Sequence, residues 1–469
     1  MTTSKAVILL GAAFLLAVPL IYFISQRGEG GPDPGEGTSL VVLVDFSKSF
    51  AATIQSSGRV KYGLHVEDER ALKHLAGAVS TLATTSWTPP LKTIWNQIQS
   101  SSLMSAPICA PLETDQRLVK PKGSVGTYRE ILEVLSSCAT AIFESSRKSD
   151  LLADYTDISG AVEMASQIPS ASHHRKALVM LSDFEEDLPP GVQPAAFRLQ
   201  GERVLLLHRP GTDESQDAAG YLARVSAWRN NLLSRGAKSC VAIPVVAATE
   251  SRIRAALSDD DAESGTSLTI LVDFKVGALA TRQGETLAKV GNTLASLARD
   301  WPSPVNALWV SMGSSAFTSE AMAVPEFAPS LIKKANGPLT TVDEFRTSME
   351  ELAIALSNRV GNITATDVDG TVALTATPEI RTARSILVLL SDLKDSDEEH
   401  PVPFQLAKNT EVIFLHAASP SDRSAPNEYS ERRKRWEKRM RQSGASSVTQ
   451  ISLISFSPGD LKSALGNNN

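Results

Sequence analysis

The stretch Ser39-Leu-Val-Val-Leu-Val-Asp45-Phe-Ser47-Lys-Ser49 decides how this chain is read. An unbroken apolar run ends on an aspartate, and serines follow at every second position. Apolar side chains without alternation mark a strand buried on both faces, the kind found in parallel sheets. Short polar side chains just past such a strand lie where open α/β sheets hold ligands. The chain then repeats itself as Ser267-Leu-Thr-Ile-Leu-Val-Asp273-Phe-Lys275-Val-Gly277. The strand and the aspartate return, and both serines are replaced.

Working outward, other landmarks recur in the same order. Trp87, Pro90 and Trp95 answer Trp301, Pro304 and Trp309. Thr156-Asp-Ile-Ser-Gly answers Thr366-Asp-Val-Asp-Gly, and Leu-Ser182-Asp183 answers Leu-Ser391-Asp392. His208, Trp228 and Gly236 answer His416, Trp436 and Gly444 at a constant offset. This is a tandem duplication of a large unit, not a solenoid of short repeats. Within the first unit, runs at 39–45, 177–182, 203–208 and 239–246 read as buried strands. Stretches at 65–83, 127–146 and 218–234 read as helices. Strand-helix alternation of this kind predicts two doubly wound α/β domains with mostly parallel sheets, at 39–257 and 267–465. The acidic segment 258–266 connects them.

The 469 residues give room for roughly two or three domains. With 42% apolar and 21% charged residues the composition is that of an ordinary globular protein. A net charge of -6 argues against nucleic acid as the main partner. No Cys-x-x-Cys occurs, which argues against structural zinc. Cys109 and Cys138 are read either as one bridge or as two buried thiols. Residues 6–24 form an almost unbroken apolar run that as a helix spans roughly 28 Å, about one hydrocarbon thickness. It ends Tyr22-Phe23-Ile24-Ser25-Gln26-Arg27, without a small-x-small cleavage pattern, so an uncleaved transmembrane anchor is expected. Residues 28–38 (GEGGPDPGEGT) are a flexible linker. The simple anchor and the absence of a disulfide framework point to a bacterial inner membrane, with the domains on the periplasmic side.

Asp45, Ser47, Ser49, Thr156 and Asp183 all fall on loops expected at one end of the first sheet. Three hydroxyls and two carboxylates form an all-oxygen donor set that suits Mg²⁺ or Mn²⁺. Asp45-x-Ser47-x-Ser49, Thr156 and Asp183 resemble the metal-ion-dependent adhesion site of the von Willebrand factor A (VWA) family, in that family's order. The resemblance covers 39–257 and, in degraded form, 267–465. It implies a Rossmann-like fold in which Ser47, Ser49 and Thr156 bind the metal directly, while Asp45 and Asp183 act through water. It also implies a protein partner that offers an acidic side chain to the cation. Two features depart from the family: Phe184 follows Asp183 where a glycine is common, with Glu185, Glu186 and Asp187 crowding that rim, and the separation of Ser49 from Thr156 is longer than usual. In the second unit Asp273, Thr366 and Asp392 persist, but Lys275 and Gly277 stand where the serines should be. No metal is expected there, and Lys275 would supply the missing positive charge.

Asp367-Val-Asp369-Gly370-Thr371 matches the opening motif of haloacid-dehalogenase phosphatases, but it follows a polar stretch instead of a buried strand. No phosphate loop, zinc motif or nucleophile elbow is present, and no enzyme is expected. His208 and His416 read as structural histidines. The run from Glu431 to Arg441 reads as a solvated basic helix face, with anionic lipid or an acidic partner surface as the functional alternative. The sequence thus predicts a membrane-anchored protein that binds a partner through Mg²⁺, probed best by its neighbours in the cell. A metal-independent scaffold, with both sites silent, is the competing expectation.

Overall fold

The computed structural model describes residues 37–466, apart from 57–58, 101–106, 110–111, 114–124, 148–151, 169–174, 212–216, 259–264, 275–282, 330–337, 360–364, 377–379, 381 and 396–400. The expected anchor at 6–24 lies outside the described residues, as do most of the linker and connector, Lys275 and Gly277. Among the described residues no helix is long and apolar enough to cross a membrane.

The first half runs β1 (Thr38–Asp45), a hairpin of β2 (Ala52–Ser56) and β3 (Arg59–Gly63), α1 (Val66–Thr85), β4 (Leu91–Ile98), β5 (Leu112–Glu113), α2 (Val125–Ser146), α3 (Ile158–Gln167), β6 (Arg175–Ser182), β7 (Arg203–His208), α4 (Ala218–Ser234), β8 (Ser239–Pro244) and α5 (Glu250–Leu257). The second half runs β9 (Thr266–Asp273), α6 (Gln283–Leu297), β10 (Val305–Met312), β11 (Glu320–Ala323), α7 (Val342–Arg359), α8 (Val368–Thr375), β12 (Arg384–Ser391), β13 (Thr410–His416), α9 (Pro420–Ser424), α10 (Pro426–Gln442), β14 (Ser447–Ser452) and α11 (Pro458–Gly466).

Two sheets result, ordered β5-β4-β1-β6-β7-β8 and β11-β10-β9-β12-β13-β14. All neighbours pair in parallel except the short edge strands β5 and β11. Two mostly parallel sheets with helices on their faces make an α/β, Rossmann-like fold. The opening strands sit in the middle of each sheet, which explains their unalternating apolar sequence. Leu40, Val42 and Val44 face α1 and α2, whereas Val41 and Leu43 face α3 and α4. β4 (LKTIWNQI) is the strand that apolar patterning misses, because Lys92, Asn96 and Gln97 interrupt it. Trp95 on β4 and Trp309 on β10 are fully buried, as the paired tryptophans suggested.

The two halves share apolar contacts. Val245 and Ala247, after β8, belong to the same buried cluster as Val372 of α8 and Trp436 of α10, with Ala321 and Ala323 of β11 packed against it.

Cys109 and Cys138 form a disulfide that ties the segment after β4 to α2, and Cys240 is a buried free thiol. The bridge settles the alternative left open by the sequence, and it removes the absence of disulfides as a reason to infer a bacterial source. Digestion without reductant is expected to give one peptide pair linked through these residues. The Cys109→Ser/Cys138→Ser double variant should lose ~3 kcal/mol in denaturant unfolding. Three thiols titrating in denaturant without reductant would exclude the bridge.

Candidate metal centre

β1 and β6 are adjacent, and both loops of the opening motif leave their carboxyl ends. Asp45 is fully buried. The Ser47 backbone N–H donates to Asp45 Oδ1 at 2.8 Å, and the Ser182 hydroxyl donates to Oδ2 at 2.7 Å. Burial pushes the Asp45 carboxyl above the ordinary range, against the pull of these hydrogen bonds and of the Arg209 charge. Ser47 and Ser49 bring their hydroxyls within 3.0 Å of each other, with Ser49 half-buried at the mouth.

Two further loops close around this corner. Lys48 N–H donates to the Ala153 carbonyl, and Ala153 N–H donates to the Phe46 carbonyl, so the serine loop pairs with the segment leading into Thr156. Lys48 and Asp154 add an exposed ion pair across the same junction. Thr156 is buried and exchanges two backbone hydrogen bonds with Asp187, at 2.6 and 3.1 Å. The acidic rim therefore has a positioning role. Asp187 holds Thr156, and Glu186 accepts from Ser159 N–H at the start of α3. Asp157 caps that helix through Gly160 N–H. A Cβ on Gly160 would lie 2.1 Å from the Asp157 carboxylate, which is why the repeated Thr-Asp-x-x-Gly needs its glycine.

The departure at Phe184 has a matching backbone. Phe184 and its counterpart Leu393 both adopt φ of 60°. This left-handed region costs a non-glycine residue about 1–2 kcal/mol. Each turn is held by the same set of bonds. Phe184 N–H donates to Ser182 Oγ, Trp228 Nε1 donates to the Phe184 carbonyl, and Arg224 donates to the Asp183 carbonyl. In the second half Ser391, Trp436 and Arg432 do the same for Leu393 and Asp392. One helical turn earlier, Tyr221 and Tyr429 pair through their hydroxyls with His208 and His416. Burial pushes His208 down to about 3, and burial with the Arg433 charge pushes His416 down to about 4. Both are neutral structural groups at physiological pH. Tyr-x-x-Arg-x-x-x-Trp was present in the sequence at the constant offset, although only its tryptophans were singled out. Ser182 and Ser391 stand in the sequence as landmarks of the repeat without a signal for their role at the aspartates, and Arg209 has no sequence signal. Arg209 grips Asp68 with two bonds and the Phe50 carbonyl with a third, closing the loop beyond Ser49.

The second centre is shut by its own side chains. The Thr366 hydroxyl donates to Asp273 Oδ1 at 2.8 Å, where the first half uses a serine N–H, and Ser391 donates to Oδ2. Asp367 caps α8 through Gly370 and also accepts from Ala316 N–H, so it is a structural cap, not a nucleophile at a strand end. The basic run is also less solvated than expected. Arg432 is buried against Asp422, Arg433 reaches His416 and Gln450, and Arg439 pairs with Asp369; Lys434 and Arg441 pair along the helix with Glu431 and Glu437.

Asp45, Ser47, Ser49, Thr156 and Asp183 carry hydroxyl and carboxylate oxygens, the donor chemistry of a hard divalent cation, and the Asp183 carboxylate accepts from Glu185 N–H at 3.0 Å. A cation there would offset the cost of the buried Asp45 carboxylate. Among the described residues no group of three or more His, Cys, Asp or Glu side chains is placed to hold a metal, so the hydroxyls are essential to this reading.

No family model and no curated protein matches the chain. Among solved structures it is similar to proximal thread matrix protein 1 of the mussel byssus, with 9% identity and a TM-score of 0.25 over 91% of this chain and 95% of that one. It is also similar to an aerotolerance-related membrane protein of Bacteroides fragilis, with 14% identity and a TM-score of 0.18 over 37% of this chain and 67% of that one. Likenesses of this size carry no argument about function.

Asp369 of the second half gives a pH prediction. Burial, and then the neighbouring Asp395, push its carboxyl up to about 7 despite Arg439. The fold therefore favours the protonated form. The stability this contributes is complete below the ordinary value of 3.8 and is lost as pH rises through about 7. Asp369→Asn should raise the Tm modestly at pH 5, where part of the contribution is already lost, and further at pH 8. A difference from the parent that stays constant over that range would contradict the assignment.

Proposed function

We propose that residues 39–257 are a VWA-type interaction module that binds a partner protein through Mg²⁺ or Mn²⁺. Ser47, Ser49 and Thr156 would hold the ion directly, with Asp45 and Asp183 behind them through water. Few charged ligands leave such a cation net positive, so a carboxylate of the partner can complete its coordination. Residues 267–465 are the metal-free companion, and residues 6–24 anchor the chain in a membrane with both units on the periplasmic side.

One observation carries this reading: the asymmetry between the two buried aspartates. In the first half the Ser47 and Ser49 hydroxyls meet beside Asp45, whereas in the second Thr366 bonds to Asp273 directly. The same scaffold thus places a pair of serine hydroxyls beside the aspartate in one copy and a threonine hydroxyl on it in the other. The disulfide supports an oxidising compartment outside the cytosol.

Titration calorimetry of the full chain with Mg²⁺ is expected to show one site, abolished by Ser47→Ala and by Asp45→Asn and retained in Thr366→Val. At one hundred times the dissociation constant the ion should add about 2.7 kcal/mol to the unfolding free energy. Two sites of equal strength, or no heat in the parent protein, would reject the asymmetric assignment. Partner binding that survives EDTA would leave only the scaffold reading.

A further inference from the structure

A second site lies where the halves meet. Arg252 projects from α5 of the first half onto β9 of the second and donates to the Thr269 hydroxyl at 2.9 Å. Arg252 is 6% exposed, and its Nη1 has no hydrogen-bond partner. It lines a cavity of about 40 Å³, together with the hydroxyl side chains of Ser267, Thr269, Thr375, Thr382 and Ser385. The Thr382 hydroxyl is likewise buried without a partner. Arg252 is the only charged side chain among the described residues of this lining, and no described carboxylate pairs with it.

Such an arrangement needs a counterion. A buried, unpaired charge is among the costliest features a fold can contain. Burial alone pushes the guanidinium down, and only to about 10, so it stays cationic at neutral pH. Water could fill the space, but it cannot neutralise the charge. The cavity is half apolar, from Val372, Ile380, Leu387 and Leu406 among others, and half hydroxyl-bearing, and the hydroxyls can rotate to donate. One water needs about 10–15 Å³, so the volume suits one small ion with a water beside it.

We propose that the cavity is a binding site for a small monovalent inorganic anion of chloride size, held by Arg252 Nη1 and the Thr382 hydroxyl. The anion staples α5 of the first half to β9 and β12 of the second. It shares no residue with the metal centre, and it stands whether or not that centre binds Mg²⁺.

The test uses the full 469-residue chain in detergent, exchanged into gluconate, an anion too large for the cavity. Chloride or bromide added at constant ionic strength should raise the Tm saturably, following the logarithm of concentration. A crystal grown in bromide should show anomalous density beside Arg252. Thr382→Val should weaken the apparent chloride affinity about tenfold, the loss of one hydrogen bond to a charged group. Arg252→Met removes a buried charge in favour of an apolar side chain of similar length. It should fold and lose the anion response entirely. Identical melting in gluconate and chloride, or bromide density absent from the cavity, would overturn the proposal. Glu379, outside the described residues, is near this wall in sequence. A chloride response that appears only in Glu379→Gln would make that carboxylate the counterion and equally overturn the site.

Discussion

Each half is organised around a buried carboxylate at the end of the central strand of a parallel sheet. Asp45 and Asp273 must therefore find all their hydrogen-bond donors inside the protein. One donor comes from the neighbouring strand in both halves, through Ser182 or Ser391. That bond couples the first strand to the turn after the strand beside it, and the rest of the corner follows. The same serine oxygen accepts from the residue in the left-handed turn, and the turn is clamped by an arginine and a tryptophan from the following helix.

The second donor is where the copies part. In the first half it is Ser47, through its backbone N–H and with its hydroxyl beside the same carboxylate, while that hydroxyl also meets Ser49. In the second half a threonine hydroxyl is spent on the aspartate. A hydrogen bond to a charged group is worth about 1.5–3 kcal/mol, so this bond holds Thr366 and Asp273 together. Duplication thus preserved the scaffold of the corner, while two lost serines changed what the corner offers.

The same accounting explains the polar residues that looked like functional candidates elsewhere. The buried histidines, the Asp-x-Asp-Gly-Thr motif and most of the basic helix are used internally, as tyrosine partners, helix caps and ion pairs. Arg252 is the exception. It enters the opposite half as a charge with one hydrogen bond and no described carboxylate, and so it draws attention to the seam between the units.

Much was legible in the sequence, because strands buried on both faces must be apolar at every position. The repeated runs ending in Asp45 and Asp273 therefore announced the central strands, the duplication and the α/β class without any coordinates. The candidate donors Ser47, Ser49, Thr156 and Asp183 could be named from motif order alone. Other features had no local signal. β4 carries polar residues because it lies beside the sheet edge, and the Cys109–Cys138 pairing depends on how the segment after β4 meets α2. The bond from Thr366 to Asp273 joins residues 93 apart, and the contact between Arg252 and Thr269 crosses from one half to the other. Periodicity reports which residues are buried, but not which buried polar groups meet. That depends on strand order and helix docking, so the open first corner, the closed second one and the charged seam between them were decided by the tertiary structure.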